Sequence, residues 1–261
     1  MGAGTNLVIY NLRVFGDGRK ELLCADARFE PGQLHLVIGP NGAGKTSLLR
    51  GVMGVLPTSG EINIGNTAIH TLAPHRRRDF LAYQPQALPR VEAQTVEDFV
   101  LSARGARSPW IGGLSIRDRE RAMHCLTRAR AGQLAQRRMA TLSGGELARV
   151  ALASTLALDT GWLILDEPVA ACDVAAAREM YRLLSSLAHD DGLGVVVVEH
   201  DLGLARSWAD TITLIALGHV AARGAPTDVF GSNAVEEAYG ANLKTAELAP
   251  NSWAVVAVNQ R

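Results

Sequence analysis

Apolar residues in this chain follow three rhythms, and their succession sketches the fold. Continuous apolar runs of four or five residues recur at 34–38, 162–165 and 195–198. Apart from His35 they are apolar at every position, so they suit strands covered on both faces, as in a parallel sheet layered by helices. Elsewhere the spacing becomes three and four: Leu48, Leu49, Val52 and Met53 on one stretch, and Met180, Leu183, Leu184 and Leu187 on another. Each set is the stripe of an amphipathic helix. Near the N-terminus, Leu7 and Ile9, then Leu12 and Val14, alternate with polar residues and predict short strands, with Gly16-Asp17-Gly18 as a turn. Positions 61–65 and 81–83 read as further short strands, and 211–216 with 219–222 as a hairpin about Gly218. Residues 95–158 are mostly helical in pattern, interrupted by a loop at 108–113, and from Phe230 onward the pattern is mixed.

The first buried run leads into Gly39-Pro40-Asn41-Gly42-Ala43-Gly44-Lys45-Thr46-Ser47, and an apolar helix follows. Strand, glycine-rich turn and helix form the context in which G-x-x-x-x-G-K-[ST] becomes a phosphate site. Gly42 and Gly44 let successive backbone N–H groups face inward, and the helix start adds unpaired N–H groups and a positive dipole end. Lys45 supplies a mobile charge for the outer phosphates, and the Thr46 hydroxyl can ligate Mg²⁺. The chain is thus expected to bind a nucleoside triphosphate.

Further chemistry gathers at the ends of the other buried runs. Strand 162–165 closes on Asp166-Glu167-Pro168, and ligands of open α/β sheets collect at that end. Asp166 suits Mg²⁺ and Glu167 suits orienting or deprotonating water. Strand 195–198 closes on Glu199-His200-Asp201, where His200 can reach a terminal phosphate. Leu142-Ser143-Gly144-Gly145-Glu146 opens a helix that is apolar nearly all round, and such a helix is buried, with its N-terminus an anion site on a rigid mount. Phe15 is either strand core or a platform for a base, and spacing leaves both open; Trp110 either packs locally or meets a partner.

Composition narrows the classes. Lys plus Arg number 26 and Asp plus Glu 26, a balance that draws the chain neither to nucleic acid nor to an anionic membrane surface. His75-Arg76-Arg77-Arg78 is a single basic run, read as a solvated helix face. Cys24, Cys125 and Cys172 lack metal-ligand spacing and fit reduced thiols. No run approaches the roughly 20 apolar residues of a membrane span, and no signal peptide is evident. At 261 residues the chain is long enough for a core without disulfides.

Together these motifs resemble the ATP-binding subunit of an ABC transporter, from about Leu7 to about Tyr239. The phosphate loop, the Q-loop Tyr83-Gln84-Pro85-Gln86, the signature at Leu142 to Glu146, the Walker B strand ending in Asp166, Glu167 and Pro168, and the switch histidine His200 stand in the family's order. The resemblance implies an α/β fold: a P-loop NTPase (RecA-like) core with an N-terminal antiparallel β subdomain. A helical subdomain at about 87–158 is inserted, within one domain at 1–240 followed by a tail at 241–261. It implies ATP and Mg²⁺ as ligands, Phe15 stacked on adenine, Gln86 sensing Mg²⁺ and the attacking water, and Glu167 as general base. It further implies His200 and Lys45 on the γ-phosphate. Ser143, Gly144 and Gly145 complete the site of a second copy, so a head-to-tail dimer is implied. Two departures stand out: Glu146 where Gln is usual, which leaves Ser143 and Gly145 usable, and Cys172 in the D-loop 170–173.

The stretches 104–110, Leu114-Ser115-x-x-Asp118, 218–226 and Asp228-Val229-Phe230 resemble importers of the iron–siderophore, haem and cobalamin type. In those, transmembrane permease subunits and a substrate-binding protein complete the machine, which implies that this chain sits peripherally at the cytoplasmic face of the membrane, with 86–110 receiving a coupling helix. The alternatives are an ABC ATPase for another substrate, or a soluble ABC ATPase working on nucleic acid or ribosomes. The last predicts paired motif sets in one chain, a coiled-coil insertion or a basic surface, and the sequence shows none of them.

Overall fold

In the computed structural model, residues 5–88, 93–105, 115–240, 243–249 and 252–257 are described. The loop at 108–113, with Trp110, lies outside them. Strand β1 (Leu7–Phe15) buries Leu7, Ile9, Leu12 and Val14 although the step from Ile9 to Leu12 breaks the alternation. The break is a bulge: Asn11 stands at φ 45° with its N–H donated to Asp26 Oδ1 at 2.6 Å, and the pairing register shifts there. The alternation predicts two short strands; the structure has one, because the extra residue keeps the apolar face inward along the whole length.

Strand β2 (Glu21–Phe29) pairs antiparallel with β1, and β3 (Leu34–Ile38) is buried at every position. Helix α1 (Lys45–Val52) follows the glycine-rich turn. Strand β4 (Thr58–Ile64) pairs antiparallel with the other side of β1, β5 (Thr67–Ala68) extends that edge, and α2 (Pro74–Arg77) follows. Contacts divide the chain into two units: Met1–Arg77 with Leu184–Arg261, and Arg78–Leu183.

The second unit opens with β6 (Leu81–Gln84) and continues through the helices α3 (Val96–Gly105), α4 (Ile116–Arg128) and α5 (Gly144–Leu156). Ser115 and Asp118 form a capping box at the start of α4, which sets where that helix begins. Arg104 ties the three helices: its Nε donates to Asp118 at 3.1 Å and its Nη1 to the Ala157 carbonyl at 3.0 Å. Strand β7 (Trp162–Asp166) runs parallel to β6, and α6 (Val174–His189) leads the chain back to the first unit.

There, β8 (Gly194–Val198) pairs parallel with β3, which also pairs parallel with β9 (Thr211–Ala216). Helix α7 (Leu202–Trp208) lies between them in sequence. Strand β10 (His219–Gly224) pairs antiparallel with β9 through a turn with Leu217 and Gly218 both at positive φ, as a tight hairpin requires. Helices α8 (Pro226–Gly231) and α9 (Ala234–Tyr239) follow, then an antiparallel hairpin of β11 (Leu243–Ala249) and β12 (Ser252–Ala257). Within the first unit the strand order is β5-β4-β1-β2-β10-β9-β3-β8. The apolar runs behave as their composition demands, with all five residues of β3 and of β8 buried.

The basic run at 75–78 corrects the reading made from sequence. His75, Arg76 and Arg78 are exposed, but Arg77 is buried at 5% exposure. Its guanidinium donates to the carbonyls of Gly51, Val52, His70 and Leu72 at 2.8–3.2 Å. Two of these, Gly51 and Val52, are carbonyls of the last turn of α1, so Arg77 caps the helix that begins at the phosphate loop. Burial lowers its pKa from the ordinary arginine value. Arg77→Met keeps the aliphatic stem and strips the donors; it should destabilise the chain by about 2–3 kcal/mol, as expected for charged hydrogen bonds lost from buried carbonyls. Urea unfolding reads this directly, and an unchanged midpoint would show that α1 ends without need of Arg77.

Candidate nucleotide site

The phosphate loop is built by close approach. Gly39, Gly42 and Gly44 stand at φ 152°, 79° and 107°, the region open to glycine. At Gly39 a Cβ would come within 2.0 Å of the Ile215 carbonyl oxygen, so the β3 end can leave the sheet only through a glycine. Gly44 is the N-cap of α1 and no side chain caps that end, which leaves the first helical N–H groups facing the loop. Lys45 is buried at 6% exposure and folds back across the loop, Nζ donating to the Gly39 carbonyl at 2.7 Å and the Pro40 carbonyl at 3.2 Å. Asn41 and Gly42 are exposed, Ala43 is buried, and Pro40, Thr46 and Ser47 are half-buried. The loop therefore offers a cation, a row of N–H groups and two hydroxyls, the chemistry of a phosphate cradle.

Two other residues of the first unit bear on it. Phe15 ends β1 half-buried, so it is not one of the closed core positions. His200 is exposed, and the loop carrying it is anchored from beneath. Glu199, with no accessible surface, accepts hydrogen bonds from the His200 and Asp201 N–H groups at 2.8 and 3.0 Å on Oε1.

Tyr239 was missed from sequence. Its hydroxyl accepts the Gly39 N–H at 3.1 Å across 200 residues, so the last turn of α9 holds the first residue of the phosphate loop. Burial pushes the phenol up to about 12, and it stays neutral at working pH. Nothing near Tyr239 in sequence signals this, because the partner is set only by packing.

In the second unit, β7 ends on Asp166, buried at 1% exposure, with the Tyr83 hydroxyl donating to its Oδ2 at 3.3 Å. Glu167 follows in a left-handed conformation, φ 49°, and strained backbone of this kind gathers at functional sites. Its Oε2 accepts the Gln86 side-chain amide at 2.8 Å. Gln86, Glu167, Gly144 and Ala171 line one solvent-open recess.

The signature is shaped by the same crowding. A Cβ on Gly144 would stand 1.9 Å from the Ala171 carbonyl oxygen, and one on Gly145 2.7 Å from Ala176 Cβ. Ser143 is exposed and caps α5, its hydroxyl taking the Glu146 N–H while Glu146 Oε2 accepts the Ser143 N–H at 2.8 Å. That N–H, the Ser143 hydroxyl and Arg137 hold the Glu146 carboxyl below its ordinary pKa. The departure at Glu146 is thus the second half of a capping box. Cys172 is half-buried and its thiol pKa is raised by burial, while Asp173 Oδ1 accepts the Ala176 N–H at 2.8 Å at the start of α6.

A buried parallel strand, a glycine-rich turn and an uncapped helix that together cradle phosphate define a P-loop NTPase. The ABC transporter family model matches residues 24–170. The chain belongs to that family, as one of its nucleotide-binding ATPases. It is 33% identical over 255 residues to the hemin import ATP-binding protein HmuV of Burkholderia pseudomallei (strain 1710b), covering 91% of this chain and 94% of that protein. It is 36% identical over 233 residues to the zinc import ATP-binding protein ZnuC of Pseudomonas aeruginosa (strain UCBPP-PA14), covering 88% and 78%. The fold is that of a metal-chelate type ABC transporter solved in an inward-facing conformation, with a TM-score of 0.83 at 22% identity over 98% of each chain. A bacterial ABC cassette solved as a dimer gives 0.72 at 26% identity, covering 84% of this chain and 98% of that one.

Tyr239→Phe removes only the acceptor of the Gly39 N–H. A lost hydrogen bond of about 1 kcal/mol should raise the ATP dissociation constant by about fivefold, with the fold intact. Fluorescent-nucleotide titration reads it, and an unchanged constant would mean the loop is ordered without Tyr239.

Proposed function

We propose that the chain hydrolyses ATP as a head-to-tail pair of copies and powers import of an iron chelate, haem or cobalamin through permease subunits. The observation that carries this reading is the Gln86–Glu167 hydrogen bond of 2.8 Å. Glu167 is the general base, and Gln86 begins the segment on which a permease coupling helix docks. A shift of that segment is therefore felt at the base through one bond, which links the chemical step to movement. Likeness to hemin import proteins along nearly their whole length supports the importer reading and the haem-type substrate class. The zinc import relative favours a second substrate class, a metal ion.

Each residue then has a part. Lys45 and the N–H groups of 42–46 bind the β- and γ-phosphates, and Phe15 stacks on the base. His200 holds the γ-phosphate, and Glu167 takes a proton from the attacking water. Ser143, Gly144 and Gly145 meet the γ-phosphate held by the partner copy, so closure depends on that phosphate. The Thr46 hydroxyl, the Gln86 amide oxygen and the Asp166 carboxylate are hard oxygen donors of the kind Mg²⁺ prefers. When bound, Mg²⁺ neutralises charge developing on the phosphoryl group. Among the described residues no helix is long and apolar enough to cross a membrane, so attachment to the cytoplasmic face would come through the permease.

Glu167→Gln should keep ATP affinity while turnover falls by about 10²–10⁴, the usual contribution of a general base. The same variant should sediment as a dimer when saturated with MgATP. Wild-type turnover would remove Glu167 from its role, and a monomer under those conditions would overturn the shared site.

A further inference from the structure

Helix α7 begins two residues after His200, and among its residues only Ala205 is fully buried. A helix this short does not hold itself, so contacts from elsewhere must fix it. One face carries Gly203, Arg206 and Ser207, spaced three and four apart. All three meet the C-terminal hairpin. The Trp253 N–H donates to Ser207 Oγ at 3.0 Å, and that hydroxyl donates to the Gly203 carbonyl at 2.7 Å. A Cβ on Gly203 would come 2.8 Å from the Trp253 carbonyl oxygen, so the hairpin backbone lies directly on the helix.

Arg206 completes the joint. Its guanidinium carbon lies 3.9 Å from the centroid of the Trp253 ring and 5.2 Å from that of Phe230. Its Nε is buried without a hydrogen-bond partner, Nη1 reaches the Pro226 carbonyl at 3.5 Å, and the Glu247 carboxylate of β11 attracts its charge. This half-buried cation is thus held by two aromatic faces and by an acidic residue of the hairpin. At the other end of α7, Asp201 Oδ1 accepts the Leu204 N–H at 3.0 Å, and the Glu199 carboxylate gathers the N–H groups of His200 and Asp201. An unbroken line of contacts therefore runs from Trp253 through α7 to the backbone of His200.

We propose that the C-terminal hairpin is a clamp on α7, and that Trp253 and Arg206 are positioning residues that set where His200 stands. This rests on the reading of His200 as the γ-phosphate contact. The hairpin gives the last segment of the chain a part in turnover, although it lies far in sequence from every nucleotide motif.

The test compares Trp253→Ala, Trp253→Phe and His200→Ala in the full chain, measuring MgATP turnover and nucleotide affinity separately. Trp253→Ala should lower kcat by about 10- to 100-fold, the scale of a misplaced catalytic group, with the ATP dissociation constant unchanged. Trp253→Phe keeps an aromatic face for Arg206 and should recover most of the loss. His200→Ala at wild-type rate would overturn the His200 reading and the clamp with it. An impaired His200→Ala beside a fully active Trp253→Ala would overturn the clamp alone. Parallel losses of affinity and kcat, or no recovery with Phe, would reduce the hairpin to a structural brace and also overturn it. Should Trp253→Ala not fold, Ser207→Ala removes only the hydrogen-bond relay, and the same split in kcat decides.

Discussion

The Gly39 backbone passes so near the Ile215 carbonyl that no side chain fits between them, and the first unit is arranged around that approach. The chain leaves β3 there, turns through left-handed glycines and enters α1 with no side chain capping its start. A loop bent this sharply keeps its shape only if its surroundings overdetermine it. Those surroundings come from the far end of the sequence: Tyr239 accepts the Gly39 N–H, and the Gly218 N–H donates to the Ala43 carbonyl at 3.2 Å. Arg77 secures the other end of α1. The phosphate cradle is local in sequence, but its rigidity is not.

The second unit solves a similar problem with the same means. Its signature glycines are dictated by the Ala171 carbonyl and the Ala176 methyl, so the start of α5 is pressed onto the segment that follows Glu167. The Glu146 capping box keeps that helix start in order. The strained Glu167 backbone, the Gln86 amide and the Tyr83 hydroxyl then fix the two acids at the end of β7. Catalytic groups gain most when their geometry is set before the substrate arrives, and both units invest their close contacts there.

Much of this was legible in the residues. Run 195–198 is apolar throughout and 34–38 is broken only by His35, so both suit strands covered on both sides, and both are buried along their length. The G-x-x-x-x-G-K-[ST] turn announces its chemistry because the backbone dihedrals it needs are open to so few residue types. Where local pattern misled, packing had overruled it. Asn11 turns two strands into one by taking up a bulge, and Arg77 leaves a basic, solvent-facing run to serve buried carbonyls.

The sequence by itself determined the buried core strands, the phosphate loop, the acids after β7 and the family they compose, since each motif depends on neighbours a few residues apart. Only the tertiary structure decided that Tyr239 holds Gly39, that Glu167 bonds Gln86, and that Trp253 and Phe230 enclose Arg206. Those partners lie tens to hundreds of positions apart. Chain spacing carries no record of a contact that distance, and sheet order and helix docking bring it about.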